Sequence, residues 1–241
     1  MTGTLFLIPN TLGETEALSS VLPEQVQRIT SQLDYFVAEN AKTARAFLKL
    51  VNAKHPLAKP LQEITISELN VNTPAAALAG LLAPLLAGQD GGLVSEAGVP
   101  AVADPGADLV RLAHQHNIPV RPLVGPSSLL LAVMASGLNG QSFAFNGYLP
   151  TDAAQRATRI KELEQRSRKE KQTQLFIETP YRNAAMLEAL TAACAPGTLL
   201  CVATDLSLPS EAIRTMSASQ WKSAKAPDFH KKPTVFLLLG Q

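Results

Sequence analysis

Short apolar runs alternate along this chain with longer stretches whose apolar positions recur at helical spacing. Residues 5–8 form the first run, stopped by Pro9 and Asn10. Residues 35–38 form a second, ending in Glu39 and Asn40, and residues 64–66 a weaker third. A fourth, 92–94, is entered through the turn formers Gly88, Gln89, Asp90 and Gly91. A fifth spans 118–124, where Pro119 and Pro122 predict an edge position, because proline cannot donate to a central ladder. Short runs separated by helical patterns predict parallel βαβ units.

The intervening helices carry end signals. Thr73 and Pro74 are expected to cap and start an Ala/Leu-rich helix to residue 87, kinked or shortened by Pro84. Asp104 is expected as an N-cap with Pro105 in the first turn; Leu109, Leu112 and Ala113 follow at helical spacing, and Asn117 stands where that helix stops. Ser127 or Ser128 can cap a helix over 129–135 that Gly137 ends. Beyond about residue 140 the pattern predicts a strand at 142–145, a polar helix within 151–172 and a strand at 175–177. It then predicts a helix over about 182–194, strands at 199–202 and 235–239, and a further segment at 211–216. The fold class is α/β, with domains expected at 1–124 and 125–241.

Composition narrows this. The 241 residues are 46% hydrophobic, and 21 basic against 20 acidic residues leave a formal charge of +1, too small for a global field drawing nucleic acid or membrane. Charge is local: residues 156–171 hold seven Lys/Arg and three Glu. That segment reads either as a solvated helix face or as a phosphate-backbone patch, supported further on by Lys222, Lys225, Lys231 and Lys232. No apolar run approaches the ~20 residues of a membrane span. The start lacks a basic n-region and a long apolar h-region, so no signal peptide is expected. Cys194 and Cys201 suit packing rather than a disulfide framework. Together these readings predict a cytoplasmic protein.

Familiar catalytic fingerprints are missing: there is no G-x-G-x-x-G after a strand, no Gly-Lys-Ser/Thr loop and no G-x-S-x-G elbow. His114 and His116, two apart on a predicted helix, point to different faces and are read as surface residues; no metal site is expected. The loops that can carry chemistry follow strands, where open α/β sheets bind ligands. They are residues 95–100 with Asp104-Pro105-Gly106, residues 125–128, and Glu178-Thr179-Pro180-Tyr181-Arg182. Small residues admit a ligand close to the backbone, and Ser, Thr and Glu add directional hydrogen bonds. Ordinary tight turns and caps have the same composition.

In these loops the sequence resembles the tetrapyrrole-methylase-type family of S-adenosylmethionine-dependent methyltransferases. Within it, the chain is most similar to the branch that methylates a ribose 2′-hydroxyl of small-subunit ribosomal RNA. The resemblance covers nearly the whole chain, through the stretches 5–13, 38–40, 94–100, 103–106, 125–128, 135–138, 147–150 and 178–182. It implies a two-domain fold, with a mostly parallel N-terminal sheet, a mixed C-terminal sheet and a cofactor cleft between the domains, in a homodimer. By this resemblance Ser95, Glu96, Ala97, Gly98, Val99 and Pro100 line the S-adenosylmethionine pocket. Ser127, Ser128, Thr179, Pro180 and Tyr181 close around it, and Ala203 and Leu206 touch the adenosine.

Methyl transfer to an alcohol needs alignment and a base. Glu39, Glu96 and Glu178 are candidate bases, and Arg182 a phosphate anchor or an orienting partner for Glu178. The chain departs from the branch at Asn40-Ala41-Lys42, at Glu96 and Val99, and at Thr204-Asp205-Leu206-Ser207-Leu208. Changed polar partners in such loops change specificity by large factors. The leading expectation is an RNA methyltransferase; the alternatives are a small-molecule acceptor such as a tetrapyrrole, or a non-catalytic ligand-binding member.

Overall fold

The computed structural model describes residues 1–14 and 18–241. The chain divides into two compact units, Met1–Ser127 and Ser128–Gln241.

The first unit is built on a five-stranded sheet from β1 (Leu5–Ile8), β2 (Tyr35–Ala38), β3 (Thr65–Glu68), β4 (Gly91–Val94) and β5 (Val120–Pro122). Its order is β3-β2-β4-β1-β5, and all four pairings are parallel. β1, β2 and β4 are almost wholly buried, as the central strands of a parallel sheet must be. β5 is the edge strand that its prolines predict. Helices α1 (Glu24–Gln32), α2 (Ala41–Asn52), α3 (Leu78–Leu86) and α4 (Ala107–Gln115) complete the unit. One core gathers Phe6, Ile8, Phe36, Phe47, Leu48 and Val94; a second gathers Leu5, Tyr35, Leu82, Leu85, Leu93 and Leu109.

The second unit comprises α5 (Ser128–Ser136), β6 (Phe143–Tyr148), α6 (Ala153–Glu170), β7 (Thr173–Ile177), α7 (Asn183–Ala193), β8 (Leu199–Thr204), β9 (Ala212–Ser217), α8 (Ala218–Ser223) and β10 (Thr234–Leu239). Its sheet runs β6-β7-β10-β8-β9 and is mixed: β6 and β7 pair in parallel, while the other pairings are antiparallel. Phe176 and Phe236 stack at 6.0 Å between centroids in a core with Ile160, Leu163, Leu190 and Trp221. These two sheets match the expected parallel and mixed pair.

The structure corrects several local expectations. Thr73 caps no helix; its hydroxyl accepts from Asn70 N, and a 3-10 turn at Ala75–Ala77 leads into α3. Pro84 does not end α3, because it lies in the last turn, two residues before the helix would stop anyway. Helices α1 and α2 answer no expected element. Gln27, Thr30 and Ser31 are buried in α1 and blur its apolar period, whereas Ala44, Phe47, Leu48 and Val51 give α2 a plain helical stripe. Among the described residues, no helix is long and apolar enough to cross a membrane.

Candidate functional site

In the first unit the loops after β1, β2 and β4 meet at the carboxyl ends of parallel strands. Asn10 ties two of them together. Its side-chain amide donates to the Ser95 carbonyl (3.2 Å) and the Glu96 carbonyl (3.1 Å), and its Oδ1 accepts from Thr11 N (2.8 Å). The backbone adds Asn10 N to Gly98 O at 2.8 Å and Gly98 N to Thr11 O at 3.2 Å. Asn10 is buried, so these bonds replace water that it has lost. Sequence reading missed Asn10; the Pro-Asn stop after an apolar run was its only signal.

Gly98 has φ +67°, a conformation that favours glycine, and a Cβ there would lie 3.0 Å from Leu12 Cδ2, a tight contact. Ala101 and Ala103 also have positive φ, at 64° and 65°, a costly conformation for a residue with a Cβ. Within the expected cofactor loop Ser95 and Pro100 are buried, Val99 is half-buried, and Glu96 and Ala97 are exposed. At Gly125 a Cβ would fall 2.3 Å from Pro9, which brings the 125–127 turn hard against the β1 loop.

Asp104 is not the N-cap of α4. That position is held by Gly106 with no side-chain cap, and α4 starts at Ala107. The Asp104 carboxylate instead faces the Ser95 hydroxyl, whose polar contact lowers its pKa. Burial nevertheless raises its pKa, and the Glu96 charge raises it further. Glu39, half-buried at the end of β2, is shifted the same way: burial raises its pKa first, then the charges of Asp104 and Glu96, while the Glu96 backbone N–H partly offsets them. Three carboxyls thus converge on Ser95, and among the described residues Glu39 and Asp104 form no ion pair. No described cluster could hold a metal ion.

Beside them lies a groove of about 970 Å³, lined by Asn10, Asn40, Lys42, Thr43, Leu50 and Glu96 among others. Asn40 caps α2, accepting from Lys42 N and Thr43 N, and the Thr43 hydroxyl donates to Glu96 Oε1 at 3.2 Å. The small-residue loop and the unpaired carboxyls fit a compact, positively charged cofactor such as a sulfonium compound.

The second unit holds the other predicted carboxylate very differently. Glu178 is buried at the end of β7. It accepts from Thr179 N at 2.7 Å, and Arg182 Nη2 lies 2.7 Å from each of its oxygens. Arg182 therefore orients Glu178. Pro180–Arg182 form a 3-10 turn, and Tyr181 projects from it 72% exposed. Asn183 opens α7 and fastens a distant loop, donating to Phe229 O and Lys232 O. Ala203 and Leu206 are buried, Ala203 within the ladder between Val235 and Ile213. Ser128 is the first residue of α5, half-buried, while Ser127 closes the first unit.

His114 and His116 are exposed at the end of α4. Cys194 and Cys201 are free and buried, and burial pushes the Cys194 thiol up to about 12, which suits packing.

Comparison with known proteins accords with this geometry. The family model described as Tetrapyrrole (Corrin/Porphyrin) Methylases matches residues 20–221. A protein of Xylella fastidiosa named Ribosomal RNA small subunit methyltransferase I is 28% identical over 99% of this chain and 81% of its own. Proteins of the same name from Mesorhizobium japonicum and Vibrio cholerae are 39% and 33% identical, over 56% and 66% of this chain. Those two alignments span 45% and 54% of the relatives' lengths, about half. Among solved structures, the methyltransferase CobJ superposes with a TM-score of 0.63 at 18% identity, covering 99% of this chain and 95% of that one. The cobalt precorrin-4 methyltransferase CbiF gives 0.61 at 14%, covering 98% and 94%.

Proposed function

We propose that this chain, which belongs to the tetrapyrrole (corrin/porphyrin) methylase family, is an S-adenosylmethionine-dependent methyltransferase whose acceptor is a ribose 2′-hydroxyl of small-subunit ribosomal RNA. The observation that carries this reading is the gathering of Glu39, Glu96 and Asp104 around Ser95, beside a glycine-dependent loop, at the strand ends of a parallel sheet. The acceptor follows from relatives that align along the chain and are named for ribosomal RNA methylation.

S-adenosylmethionine, when bound, supplies an electrophilic methyl group on sulfonium sulfur. In the first unit Ser95, Glu96, Ala97, Gly98, Val99, Pro100 and Ser127 would hold it. Glu39 is the general base. It would take the acceptor's hydroxyl proton while that oxygen receives the methyl group, the donor departing as a neutral thioether. Such a base contributes roughly 10²–10⁴-fold. Burial and two neighbouring carboxylates raise its proton affinity, which makes it a stronger base than an ordinary carboxylate. Glu96 presents a second carboxylate to the acceptor side, and Arg182 keeps Glu178 in one orientation. The protein works in the cytoplasm as a homodimer, a reading that the family resemblance supports.

The test is transfer of a labelled methyl group from S-adenosylmethionine by the purified protein. Label in the ribose of small-subunit ribosomal RNA is expected. Label only in a porphyrinoid would replace the acceptor, and cofactor binding without transfer to either would leave a non-catalytic protein.

A further inference from the structure

The second unit carries two basic stretches of different character. On α6 three of the four arginines pair with glutamates of the same helix. Arg159 pairs with Glu162 (3.0 Å), Arg166 with Glu170 (3.2 Å) and Arg168 with Glu164 (3.7 Å). No aromatic residue stands among them. The loop from α8 to β10 differs. Residues 222–232 hold four lysines and a single acid, Asp228. Lys232 is engaged by Asp228 (3.0 Å) and Asp205 (3.6 Å). Lys222, Lys225 and Lys231 are exposed and form no ion pair among the described residues.

That loop is fastened to the Tyr181 turn across about fifty residues of sequence. Lys231 N donates to Pro180 O at 3.3 Å, and the two Asn183 bonds grip Phe229 and Lys232. Lys231 holds φ +60° there, and its ammonium lies 5.7 Å from the centre of the Tyr181 ring. The ring remains 72% exposed, which leaves a face for another planar group. An open aromatic face beside the Lys231 ammonium, on a segment that carries two more lysines without ion pairs, is the chemistry that binds single-stranded nucleic acid: bases stack on the ring, and lysines meet the phosphates.

We infer that Tyr181 with Lys222, Lys225 and Lys231 forms a contact surface for single-stranded RNA flanking the methylated nucleotide, and that the longer basic run on α6 does not. The inference rests on the RNA reading above. A base stacks on the open face of Tyr181 while Lys231, held over the same ring, reaches the adjoining phosphate. The Asn183 bonds keep the loop in place, so little ordering is needed when RNA arrives.

The experiment measures affinity of the full chain, saturated with S-adenosylmethionine, for a labelled single-stranded RNA of about 12 nucleotides, across a salt series. Tyr181→Ala should weaken binding by about tenfold or more, and Tyr181→Phe should restore it, since the ring does the stacking. The triple variant Lys222→Gln, Lys225→Gln, Lys231→Gln should lower the slope of log affinity against log salt by about 2, at roughly 0.7 per phosphate contact. Calorimetric affinity of that triple variant for S-adenosylmethionine should stay unchanged. Lys161→Gln with Lys169→Gln on α6 should leave the slope as it was. Unchanged binding in the loop variants, or a slope lost in the α6 variant, would overturn the contact surface alone. Wild-type protein that binds no RNA would overturn the acceptor reading with it.

Discussion

Two carboxylates at the ends of strands, Glu39 in the first unit and Glu178 in the second, have opposite surroundings. Glu178 is nearly inaccessible and fully engaged by Arg182 and the Thr179 N–H. Its charge is spoken for, and its lone pairs hold a turn in shape. Glu39 is half-buried, unpaired among the described residues, and crowded by Asp104 and Glu96. A carboxylate deprived of water beside like charges attracts a proton. Under the proposed function, identical side chains at the ends of strands divide into an acid–base group and a structural group.

Three results would break or sharpen that division. The largest effect is expected from Glu39→Gln, which keeps shape and loses the proton acceptor: kcat should fall by about 10²–10⁴-fold with KM little changed. Glu178→Gln should lower kcat far less; the reverse order would exchange the two roles. Next, Arg182→Ala leaves the buried Glu178 carboxylate without its cation. Because Arg182 is about one-third exposed, the cost is discounted to about 1–2 kcal/mol, or a fall in Tm of roughly 2–8 °C by calorimetry. Unchanged Tm would show the pair to be dispensable.

The smallest effect is a matter of pH. Glu39 works as a base only when ionised, so kcat should decline as pH falls through its raised pKa. The Asp104 charge helps to raise that value; Asp104→Asn should move the acid limb of the profile to lower pH. The same variant has a stability signature. Folding raises the Asp104 pKa, so the folded chain binds that proton more tightly than the unfolded chain does. The favourable contribution is fully present below the unfolded pKa and is lost as pH rises through the folded one. Asp104→Asn should accordingly raise Tm slightly at pH 7 and not in acid, as read by calorimetry. A profile that does not move would separate Asp104 from Glu39.

Much of this frame was legible in one dimension. The apolar runs at 5–8, 35–38 and 92–94 became β1, β2 and β4, and Pro119 and Pro122 marked β5 as an edge. The motif series pointed to the family that the profile comparison shows. Asp104 shows where local rules stopped. Asp followed by Pro is a sound helix start, yet the Ser95 hydroxyl, which follows another strand, claimed the carboxylate and left Gly106 at the helix end. The basic run on α6 misled for a related reason. Counting charges could not show that its arginines lie one turn from their own glutamates, while three lysines of a later loop have no such partners.

By itself the sequence determined most strands, several helices and, through its motifs, the family and the class of the two sheets, because periodicity, prolines and motifs act over a few residues or recur at fixed places. Only the tertiary structure decided which charges meet. Asn10 reaches Ser95, Asp104 and Glu96 press on Glu39, and Lys231 settles over Tyr181. Hydrogen bonds and electrostatic contacts act over a few ångströms of space, and loops tens of residues apart come that close only once the sheets have formed.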